Sequence, residues 1–592
     1  MFSSFLVLFF LVWYTVALPA RSRRCSARSN DQLSTVGIRG NVDGTIGLGD
    51  KFDLLYSVPI QLGGTTMVVN LDTGSSDLWV ISSNCVAKAC AKTKNITRIP
   101  ASTLKTTGGN VTMRYGDSKT GTYASGPIAM TTAAIAGVSI ENQLFAAIDD
   151  TTNTVVKFGA AGIFGLGFPS ESRIQAAAVL DESGETGTTD NLIASSFATG
   201  PLISRIAQSG ALQMPMFSIS LQRSTIDISG KGALTLGTLP PGVDNSSLTW
   251  VPVRLYSPAE GGLAPPTFAA SEVYPLRWEI DLDGVFLDGV EIPASNIPAT
   301  GGVSSTRMSA LIDTGNSLLR GPSDVVDSIL STISPDYKAT VPNSATVACA
   351  KAHNLTFKIG GQLFPIDPRD LVGSQSKNEA RTCVVDNLVG TDAPDIGTLF
   401  RWSLGDPFMK SNLVVFHYGN LTNPSQDPPR IGFLSQVPTN ASALLAQAVQ
   451  DALEDGGHFE NTLVLAPTNV AATEAQVTVV ASAASLQAAK LTAAHTVAGH
   501  QTPATRAVAT RTPATHVVAV AAVTPTLAAP TTPKSQVPPA KSRVPPPASS
   551  AAPNGNTNLQ KPNMNAAARG LGIWDPWLVT VALGVAIFTS MA

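Results

Sequence analysis

Short apolar runs, separated by Gly, Asn and Asp, follow one another from about residue 50 to residue 437. Regularly spaced runs of this kind, rich in β-branched residues, predict a mainly β fold. Helical patterns are rare here, and short helices are expected only at 324–333 and 202–208. A region of this length exceeds a single β core, so we expect two lobes, at 50–225 and 226–440.

An internal duplication supports two lobes. The triplet Asp-Thr-Gly begins at Asp72 and again at Asp313, each time after an apolar run. An apolar pair that closes on glycine follows each triplet, at Gly165 and Gly405, which gives offsets of 93 and 92 residues. One Asp-Thr-Gly alone is an ordinary turn sequence. Two unrelated turns would not keep the same long spacing, so we interpret the pair as one copy per lobe, related by a pseudo-two-fold axis.

The duplicated triplets carry the candidate chemistry. A carboxylate that directly follows a buried strand is costly unless it is paired. Two such carboxylates at a lobe boundary could share one proton, because like charges at close range do not both ionise readily. One would act as general base on a water, and its protonated partner would donate to a substrate carbonyl. Thr73 and Thr314 would brace the two loops, and Gly74 and Gly315 would allow close backbone approach.

Three segments carry a family resemblance. Residues 72–80, Asp-Thr-Gly-Ser-Ser-Asp-Leu-Trp-Val, resemble the first active-site loop of the pepsin-like aspartic proteases. Residues 402–408 are similar to the segment before the final strands of that family, and 430–433 to its closing strand. The resemblance implies a bilobal pepsin-like fold with pseudo-two-fold symmetry and endopeptidase activity, with Asp72 and Asp313 as the catalytic residues.

The same resemblance implies the supporting residues. Those around the dyad are Thr73, Gly74, Ser75, Thr314, Gly315 and Asn316. Asn316 stands where the family usually has Thr or Ser, and its amide is expected to donate a hydrogen bond to Asp313. The substrate-binding flap, a hairpin that closes over the peptide, would contain Tyr115, Gly116 and Asp117, with Trp79 bonded to Tyr115. Asp117 would favour a basic side chain beside the cleaved bond.

The resemblance also pairs the cysteines. It implies disulfides Cys85–Cys90 and Cys349–Cys383, and Cys25 is left over, either to leave with a prosegment or to remain as a free or intermolecular thiol. Relative to the family, 171–200 and 255–275 resemble insertions, and we expect them to be surface loops.

Composition narrows the function classes. Lys+Arg 39 against Asp+Glu 42 gives a net charge of −3, which argues against nucleic-acid binding. Six scattered histidines and no His-Glu-x-x-His argue against zinc, so we expect no metal and no organic cofactor. Residues 116–121 miss the Gly-x-Ser-x-Gly elbow of serine hydrolases by one position. Peptide or protein substrates and a monomeric state are expected.

The N-terminal residues indicate secretion. An apolar run at 5–16 ends in small residues, which predicts a signal peptide over 1–18. Residues 19–49 would be a short prosegment or N-terminal extension, with a dibasic site within 21–24, so a zymogen is expected.

The C-terminal residues indicate a tether. After residue 440 the chain becomes rich in Ala, Thr and Pro, with ten prolines in 501–550, which predicts an extended stalk over 441–565. A short helix at 444–453 is the exception considered. Small residues at Asn565, a spacer and a terminal apolar stretch predict a GPI-attachment propeptide over 566–592. Six sequons fit an extracytoplasmic route, at Asn95, Asn110, Asn245, Asn354, Asn420 and Asn440.

Two functions are weighed. The first is an aspartic endopeptidase that hydrolyses extracellular or cell-surface proteins at acid pH, held by a GPI anchor at the outer face of the plasma membrane or in the cell wall. This arrangement resembles the GPI-anchored surface aspartic proteases of fungi. The alternative is a catalytically silent pepsin-like surface protein for adhesion or peptide binding. The presence of both aspartates, both threonines and Tyr115 favours the enzyme.

Overall fold

The computed structural model describes residues 44–471 and 476–480, except for 92, 94, 117–120, 184–187, 299–307, 342–343, 375–378 and 392–400. The predicted signal peptide, Cys25, Asp117, Asn565 and the GPI-attachment propeptide lie outside the described residues. Most of the predicted stalk does as well.

Fifteen strands are described up to residue 275: β1 Gly44–Gly47, β2 Gly49–Lys51, β3 Tyr56–Leu62, β4 Thr65–Asp72, β5 Leu78–Ile81, β6 Lys105–Tyr115, β7 Thr122–Ile135, β8 Val138–Ile148, β9 Asp150–Thr151, β10 Gly162–Gly165, β11 Met216–Ser220, β12 Ala233–Leu236, β13 Thr249–Pro252, β14 Leu255–Tyr256 and β15 Tyr274–Pro275. The described strands that follow are β16 Glu279–Asp281, β17 Gly284–Leu287, β18 Val290–Glu291, β19 Ser309–Ile312, β20 Leu319–Pro322, β21 Thr346–Ala348, β22 Leu355–Ile359, β23 Gln362–Pro365, β24 Gly373–Ser374, β25 Thr382–Val384, β26 Leu388–Thr391, β27 Trp402–Leu404, β28 Asn412–His417, β29 Arg430–Ser435, β30 Asn461–Leu465 and β31 Gln476–Val480.

The described helices are short: α1 Lys88–Ala91, α2 Arg173–Ser183, α3 Thr189–Thr199, α4 Leu202–Gln208, α5 Ser323–Ile333, α6 Pro368–Leu371, α7 Asp406–Ser411 and α8 Ala441–Glu454. Single 3₁₀ turns lie at Ala101–Thr103, Thr154–Val156, Pro169–Glu171, Asn245–Ser247, Pro258–Glu260 and Thr267–Ala269. The mainly β fold and the predicted helices at 202–208 and 324–333 are confirmed. Among the described residues, no helix combines the length and apolarity needed to cross a bilayer.

The sheets form two halves joined by a shared layer. The N-terminal half is built on one large sheet in the order β31-β30-β2-β3-β4-β10-β5-β8-β7-β6, with β9 beside β7. The C-terminal half contains a five-stranded sheet, β16-β19-β27-β20-β26, and smaller sheets. A six-stranded sheet, β1-β12-β11-β28-β29-β13, combines one strand from residues 44–47, three from 216–252 and two from 412–435.

The duplication predicted from the triplets is visible in the strand pairing. In the first copy, β4 pairs in parallel with β10, which pairs antiparallel with β5, and β5 is parallel to β8. In the second copy, β19 pairs in parallel with β27, β27 antiparallel with β20, and β20 in parallel with β26. Asp72 lies opposite Gly165, and Asp313 N donates to Leu404 O, the residue before Gly405, at 3.1 Å. The equal spacing therefore reflects equal topology.

One predicted boundary, at residue 49, is corrected, and the predicted lobe boundary lies within the sheet that the two halves share. The segment 19–49 was expected to precede the folded domain, yet β1 pairs with β12 from Gly44 to Gly47. Glycine lacks an apolar side chain, so backbone pairing alone makes this strand and the residue pattern did not reveal it. The boundary between 225 and 226 falls in a turn, where Arg223 and Ser229 bridge next to β11 and β12 of one sheet. A division there would cut the six-stranded sheet.

The beginning of the predicted stalk is also corrected. Residues 441–454 form α8, and β30 joins the large sheet beside β2. One face of α8 is buried at intervals of four, four and three residues, at Ala441, Leu445, Val449 and Ala452. The short helix considered at 444–453 is therefore part of the folded unit, because its Ala-rich sequence carries an apolar face that packs.

The predicted surface loop at 171–200 is wrong as well. It contains α2 and α3, which pack on each other, and Gln175 Nε2 donates to Leu192 O at 2.7 Å between them. Both predicted disulfides, Cys85–Cys90 and Cys349–Cys383, are present. Disulfides fit a protein of an oxidising compartment.

Candidate active site

The two Asp-Thr-Gly loops are tied together by their threonines. Thr73 Oγ1 donates to Ile312 O at 2.8 Å and accepts from Thr314 N at 3.0 Å. Thr314 Oγ1 donates to Leu71 O at 3.1 Å and accepts from Thr73 N at 3.2 Å. All four bonds cross between the copies and are buried, so each loop fixes the position of the other.

The glycines bring each backbone against the opposite carboxyl group. A Cβ atom on Gly74 would lie 2.5 Å from Asp313 Oδ1, and one on Gly315 would lie 2.4 Å from Asp72 Oδ1. The Gly315 position would also be 3.0 Å from Asp313 Oδ1, so the inner oxygens of both carboxyl groups flank the same point. Any larger residue at 74 or 315 would displace the dyad, which explains why the sequence has glycine there.

The two carboxyl groups have different hydrogen-bond donors. Asp72 accepts from Gly74 N at 2.9 Å through Oδ1 and from Ser75 Oγ at 2.5 Å through Oδ2. Asp313 Oδ1 accepts from Gly315 N at 2.8 Å, whereas its Oδ2 has no hydrogen-bond partner among the described residues. Asp72 therefore has more hydrogen-bond donors than Asp313 to stabilise its ionised form.

The pKa values follow this asymmetry. Burial raises the pKa of Asp72, and hydrogen bonds from Ser75 and Gly74 oppose that rise. Burial and then the charge of Asp72 raise the pKa of Asp313 well above its usual range. A carboxylate is stabilised by donors and destabilised by a neighbouring negative charge. Asp72 is thus the group that ionises first, and Asp313 is the group that keeps a proton.

Asn316 does not play the predicted role. Its Nδ2 donates to Ser403 Oγ at 2.8 Å and its Oδ1 accepts from Leu318 N at 3.1 Å, so its side chain makes no hydrogen bond to Asp313. Only its backbone N donates to Asp313, to the main-chain O at 3.3 Å. The amide is longer than a Thr or Ser side chain and fully buried, and it finds partners beyond the carboxyl group. Asn316 therefore supports the loop that carries Asp313 rather than the carboxyl group itself.

The flap strand reaches the dyad through one tyrosine. Along the second half of β6 every other residue is buried, at Val111, Met113 and Tyr115, which points Tyr115 inward. Trp79 Nε1 donates to Tyr115 Oη at 2.8 Å, as predicted. Gly116 follows with φ 90°, a conformation that glycine adopts without strain. Asp117 at the predicted tip lies outside the described residues.

A cleft opens between the flap strand and the segment that enters α2. Its walls include Ser75, Tyr115, Arg114, Glu171 and Arg173. Glu171 forms an ion pair with Arg277, whereas Arg114 is exposed. The last two residues of the wall were missed in the sequence, because 171–200 was interpreted as a surface loop. The signal that could have located them is the alternation of serine with Glu171 and Arg173 just after the Phe-Pro at 168–169.

Asp77 is a further buried carboxylate near the site. It accepts from Ser172 Oγ at 2.6 Å and from Arg173 N at 2.8 Å, and it thereby fixes the start of α2 beside the cleft. No cluster of three or more His, Cys, Asp or Glu side chains arranged to hold a metal ion occurs in the described part of the chain.

Two buried carboxyl groups on duplicated loops, a cross-braced backbone and a tyrosine-bearing flap define a two-lobed hydrolase of the carboxylate-dyad class. The family model for eukaryotic aspartyl proteases matches residues 55–423. The chain belongs to this family.

Curated relatives agree with the family match. The chain is 28% identical over 379 residues to cathepsin E-B of Xenopus laevis, covering 62% of this chain and 78% of that relative. It is 28% identical over 382 residues to pepsin A of Sus scrofa, covering 64% and 78%. An aspartic protease of Phaffia rhodozyma is 26% identical over 389 residues, covering 65% and 76%. These relatives support an aspartic endopeptidase that acts on peptide or protein substrates.

Proposed function

We propose that this protein is an endopeptidase that works at acid pH on proteins outside the cell. The observation that carries the proposal is the asymmetric dyad. Asp72 is stabilised as a carboxylate by Ser75, while the pKa of Asp313 is raised well above its usual range by burial and by the charge of Asp72. Catalysis needs one carboxylate and one carboxylic acid, and acid pH maintains that combination.

The roles of the two aspartates follow. Asp72, as the carboxylate, takes a proton from a water molecule placed between the two groups. Asp313, as the acid, donates a hydrogen bond and then its proton to the carbonyl oxygen of the scissile peptide bond. The product is a tetrahedral diol. As it collapses, the proton taken up by Asp72 goes to the leaving amine, and Asp313 regains a proton from one of the diol hydroxyls, which restores the starting dyad. Water is the nucleophile, so these steps require no other reagent.

The flap and the cleft bind the substrate. Tyr115 is buried beside Ser75 and Trp79, where its position depends on the hydrogen bond from Trp79. A peptide in extended form would lie between the flap strand and the dyad loops. Side chains beside the scissile bond would then face the cleft that contains Arg114, Glu171 and Arg173.

The location outside the cell is supported by separate features. Five of the six sequon asparagines are exposed, at Asn95, Asn110, Asn245, Asn354 and Asn440. Asn420 is half-buried, and its Oδ1 accepts from Thr422 N at 3.0 Å. We therefore expect glycans at the five exposed positions and weak modification at Asn420. The predicted signal peptide and GPI-attachment propeptide complete the proposal of a surface-anchored enzyme.

The deciding experiment is cleavage of a denatured protein substrate from about pH 3 to about pH 7 by the full chain, after processing in a eukaryotic secretory host. The variants Asp72→Asn and Asp313→Asn and a pepstatin-treated sample are compared with it. Acid-peaked cleavage that is lost in all three is expected. Activity that persists in both variants would contradict the assignment of the dyad, and an optimum near neutrality would contradict the acid-pH proposal.

Anchoring is tested on intact cells. Phosphatidylinositol-specific phospholipase C should release active enzyme from cells that express the full chain. A variant that ends after residue 564 should appear in the medium without the phospholipase. Enzyme that stays on the cells after phospholipase treatment and is recovered only with detergent would contradict the lipid anchor.

A further inference from the structure

The segment after the last strand of the six-stranded sheet runs back across the molecule. We call residues 441–466, which contain α8 and β30, the C-terminal strap. Three of its large apolar side chains are buried, with Leu445 0% exposed, Phe459 3% and Val449 5%. These side chains belong to the main core of the fold, so the strap is an integral part of the folded unit.

The strap joins the two halves of the molecule. Helix α8 packs on α6 of the C-terminal half. Strand β30 then pairs antiparallel with β2 of the N-terminal sheet, where Lys51 lies opposite Leu463 and Asp50 opposite Val464. A Cβ atom on Gly49 would lie 2.6 Å from Ala466 N, so the chain is held closely at this edge.

The strap lies next to a group of buried ionisable side chains. We call Asp50, Asp53, Arg223, Asp370 and Lys410 the ion cluster. Each of these residues is at most 8% exposed. Arg223 donates to both oxygens of Asp370 at 2.7 Å, and Lys410 Nζ lies 3.2 Å from Asp370 Oδ1 and 3.4 Å from Asp53 Oδ2. Buried ion pairs of this kind depend on the exclusion of water and on exact partners.

One residue of the strap is bonded to the segment that holds the cluster. Thr462 N donates to Ser224 O at 2.9 Å. Ser224 in turn donates from Oγ to Asp50 Oδ2 at 2.5 Å and from N to Asp53 Oδ1 at 2.7 Å. The strap, Ser224 and the two carboxylates therefore form a continuous series of hydrogen bonds.

The cluster is connected to both catalytic loops. Lys410 lies in α7, whose first residue, Asp406, donates from N to Asn316 O in the loop of Asp313 at 2.9 Å. On the other side, Asp50 and Asp53 flank the turn into β3. That strand pairs with β4, the strand that ends at Asp72. The ion cluster thus lies between α7, which bonds to the loop of Asp313, and β3, which pairs with the strand that ends at Asp72.

We propose that the C-terminal strap is a positioning element of the aspartic dyad. By bonding to Ser224 and packing on α6, it keeps the residues of the ion cluster in contact. It thereby fixes the positions of the two catalytic loops relative to each other. Among the described residues, the strap does not line the cleft beside the flap. Its loss should therefore lower kcat and leave KM nearly unchanged.

The test uses the full chain with Thr462→Pro. Proline removes the N–H that bonds to Ser224 and cannot take part in a strand as threonine does. The matched control is Thr462→Val, which keeps the N–H bond to Ser224 O and the side-chain shape and removes the hydroxyl, whose own contact with Ser224 O is longer, at 3.4 Å. Active sites are titrated with pepstatin, and kcat per titrated site and KM are measured well below the unfolding temperature of each variant.

For Thr462→Pro we expect kcat per titrated site to fall about ten-fold with KM within about two-fold, and for Thr462→Val no change in either. Unchanged kcat per titrated site in Thr462→Pro, with only a lower unfolding temperature, would overturn the proposal, because a purely stabilising strap has that effect. If Thr462→Pro yields no titratable sites, Phe459→Ala decides by the same criteria, since it loosens the strap and leaves the β30 backbone intact.

Discussion

The two catalytic carboxyl groups differ by one hydroxyl donor. Ser75 serves Asp72, and at the equivalent position Asn316 turns away to Ser403, so Asp313 Oδ2 is left without a hydrogen-bond partner among the described residues. The second aspartate therefore keeps its proton to higher pH than it would with a donor, because a hydrogen bond to a carboxylate lowers its pKa. We therefore expect this difference to add to the effects of burial and of the Asp72 charge on the alkaline side of the pH profile.

Asn316→Ser should therefore move the alkaline limb of the kcat/KM profile to lower pH. A hydroxyl donor to Asp313 stabilises its carboxylate by about 1.5 kcal/mol or more, which corresponds to about one pH unit. The measurement is kcat/KM against pH on one peptide substrate. Asn316→Ala is the control, because it removes the amide and supplies no hydroxyl. An alkaline limb that moves equally in both variants would refute the role of the missing donor.

Residue-level prediction succeeded for the residues of the two duplicated triplets. The aspartates, threonines and glycines of the triplets are all placed as the sequence indicated, because their roles depend on spacing along the chain. The partner of Asn316 could not be predicted, since Ser403 lies 87 residues away and the choice between it and Asp313 depends on packing. Asp117 lies outside the described residues and stays a prediction.

At the scale of elements, the flap strand is linked to the first catalytic loop by a hydrogen bond between Trp79 and Tyr115. Trp79→Phe removes the indole N–H that bonds to Tyr115, and the flap tyrosine loses its fixed position. A hydrogen bond of this kind contributes about 1 kcal/mol, so kcat/KM should fall roughly five-fold. Tyr115→Phe and the double variant complete a double-mutant cycle. If the free-energy losses in kcat/KM of the two single variants simply add in the double variant, the tyrosine and the tryptophan do not act as a pair.

The two disulfides close loops of very different length. Cys349–Cys383 spans 34 residues and Cys85–Cys90 spans 5. On the chain-entropy model the longer loop stabilises by about 4 kcal/mol and the shorter by about 2 kcal/mol. Replacement of the Cys349 pair by alanines should thus lower the urea midpoint more than replacement of the Cys85 pair. The reverse order would show that native-state packing outweighs loop closure here.

Elements were predictable where periodicity was strong. Helix α5 buries Val325, Val326, Ile329, Leu330 and Ile333, and this pattern identified it in advance. Strand β1 consists largely of small residues, and α8 is rich in alanine, so neither carries a pattern that separates a packed element from a linker. Both are determined by partners from distant parts of the chain, which spacing along the sequence does not reveal.

For the whole molecule, the free energy of unfolding depends on pH through ionisable groups whose pKa values are shifted in opposite directions. Burial raises the pKa of Asp50 and of Asp406 well above the usual range, so their contribution is present at acid pH and is lost as pH rises through the folded-state values. His417 acts in the opposite sense. Burial, and then the charge of Arg430, lower its pKa to about 4, although Asp427 opposes the shift.

His417→Gln should accordingly reduce the loss of stability on acidification. The unfolded histidine takes up a proton near pH 6.5 and the folded one only near pH 4, so the free energy of unfolding falls across that window. The measurement is urea unfolding at about pH 7 and about pH 4. The variant should lose less stability between the two pH values than the wild type does. Arg430→Gln should give a smaller effect of the same sign. Equal losses of stability between the two pH values in the wild type and in His417→Gln would show that the histidine is not the cause.

The pairing of β30 with β2 brings the two ends of the folded unit together. Residues 49–51 and 463–466 lie side by side, only a few residues from the first described position. A circular permutant could therefore join these ends through a short linker and open the chain between the two catalytic loops, for example at the glycine turn between β7 and β8, where Gly137 has open space around it. In such a protein both catalytic loops would keep their contacts while the order of their synthesis on the ribosome is reversed.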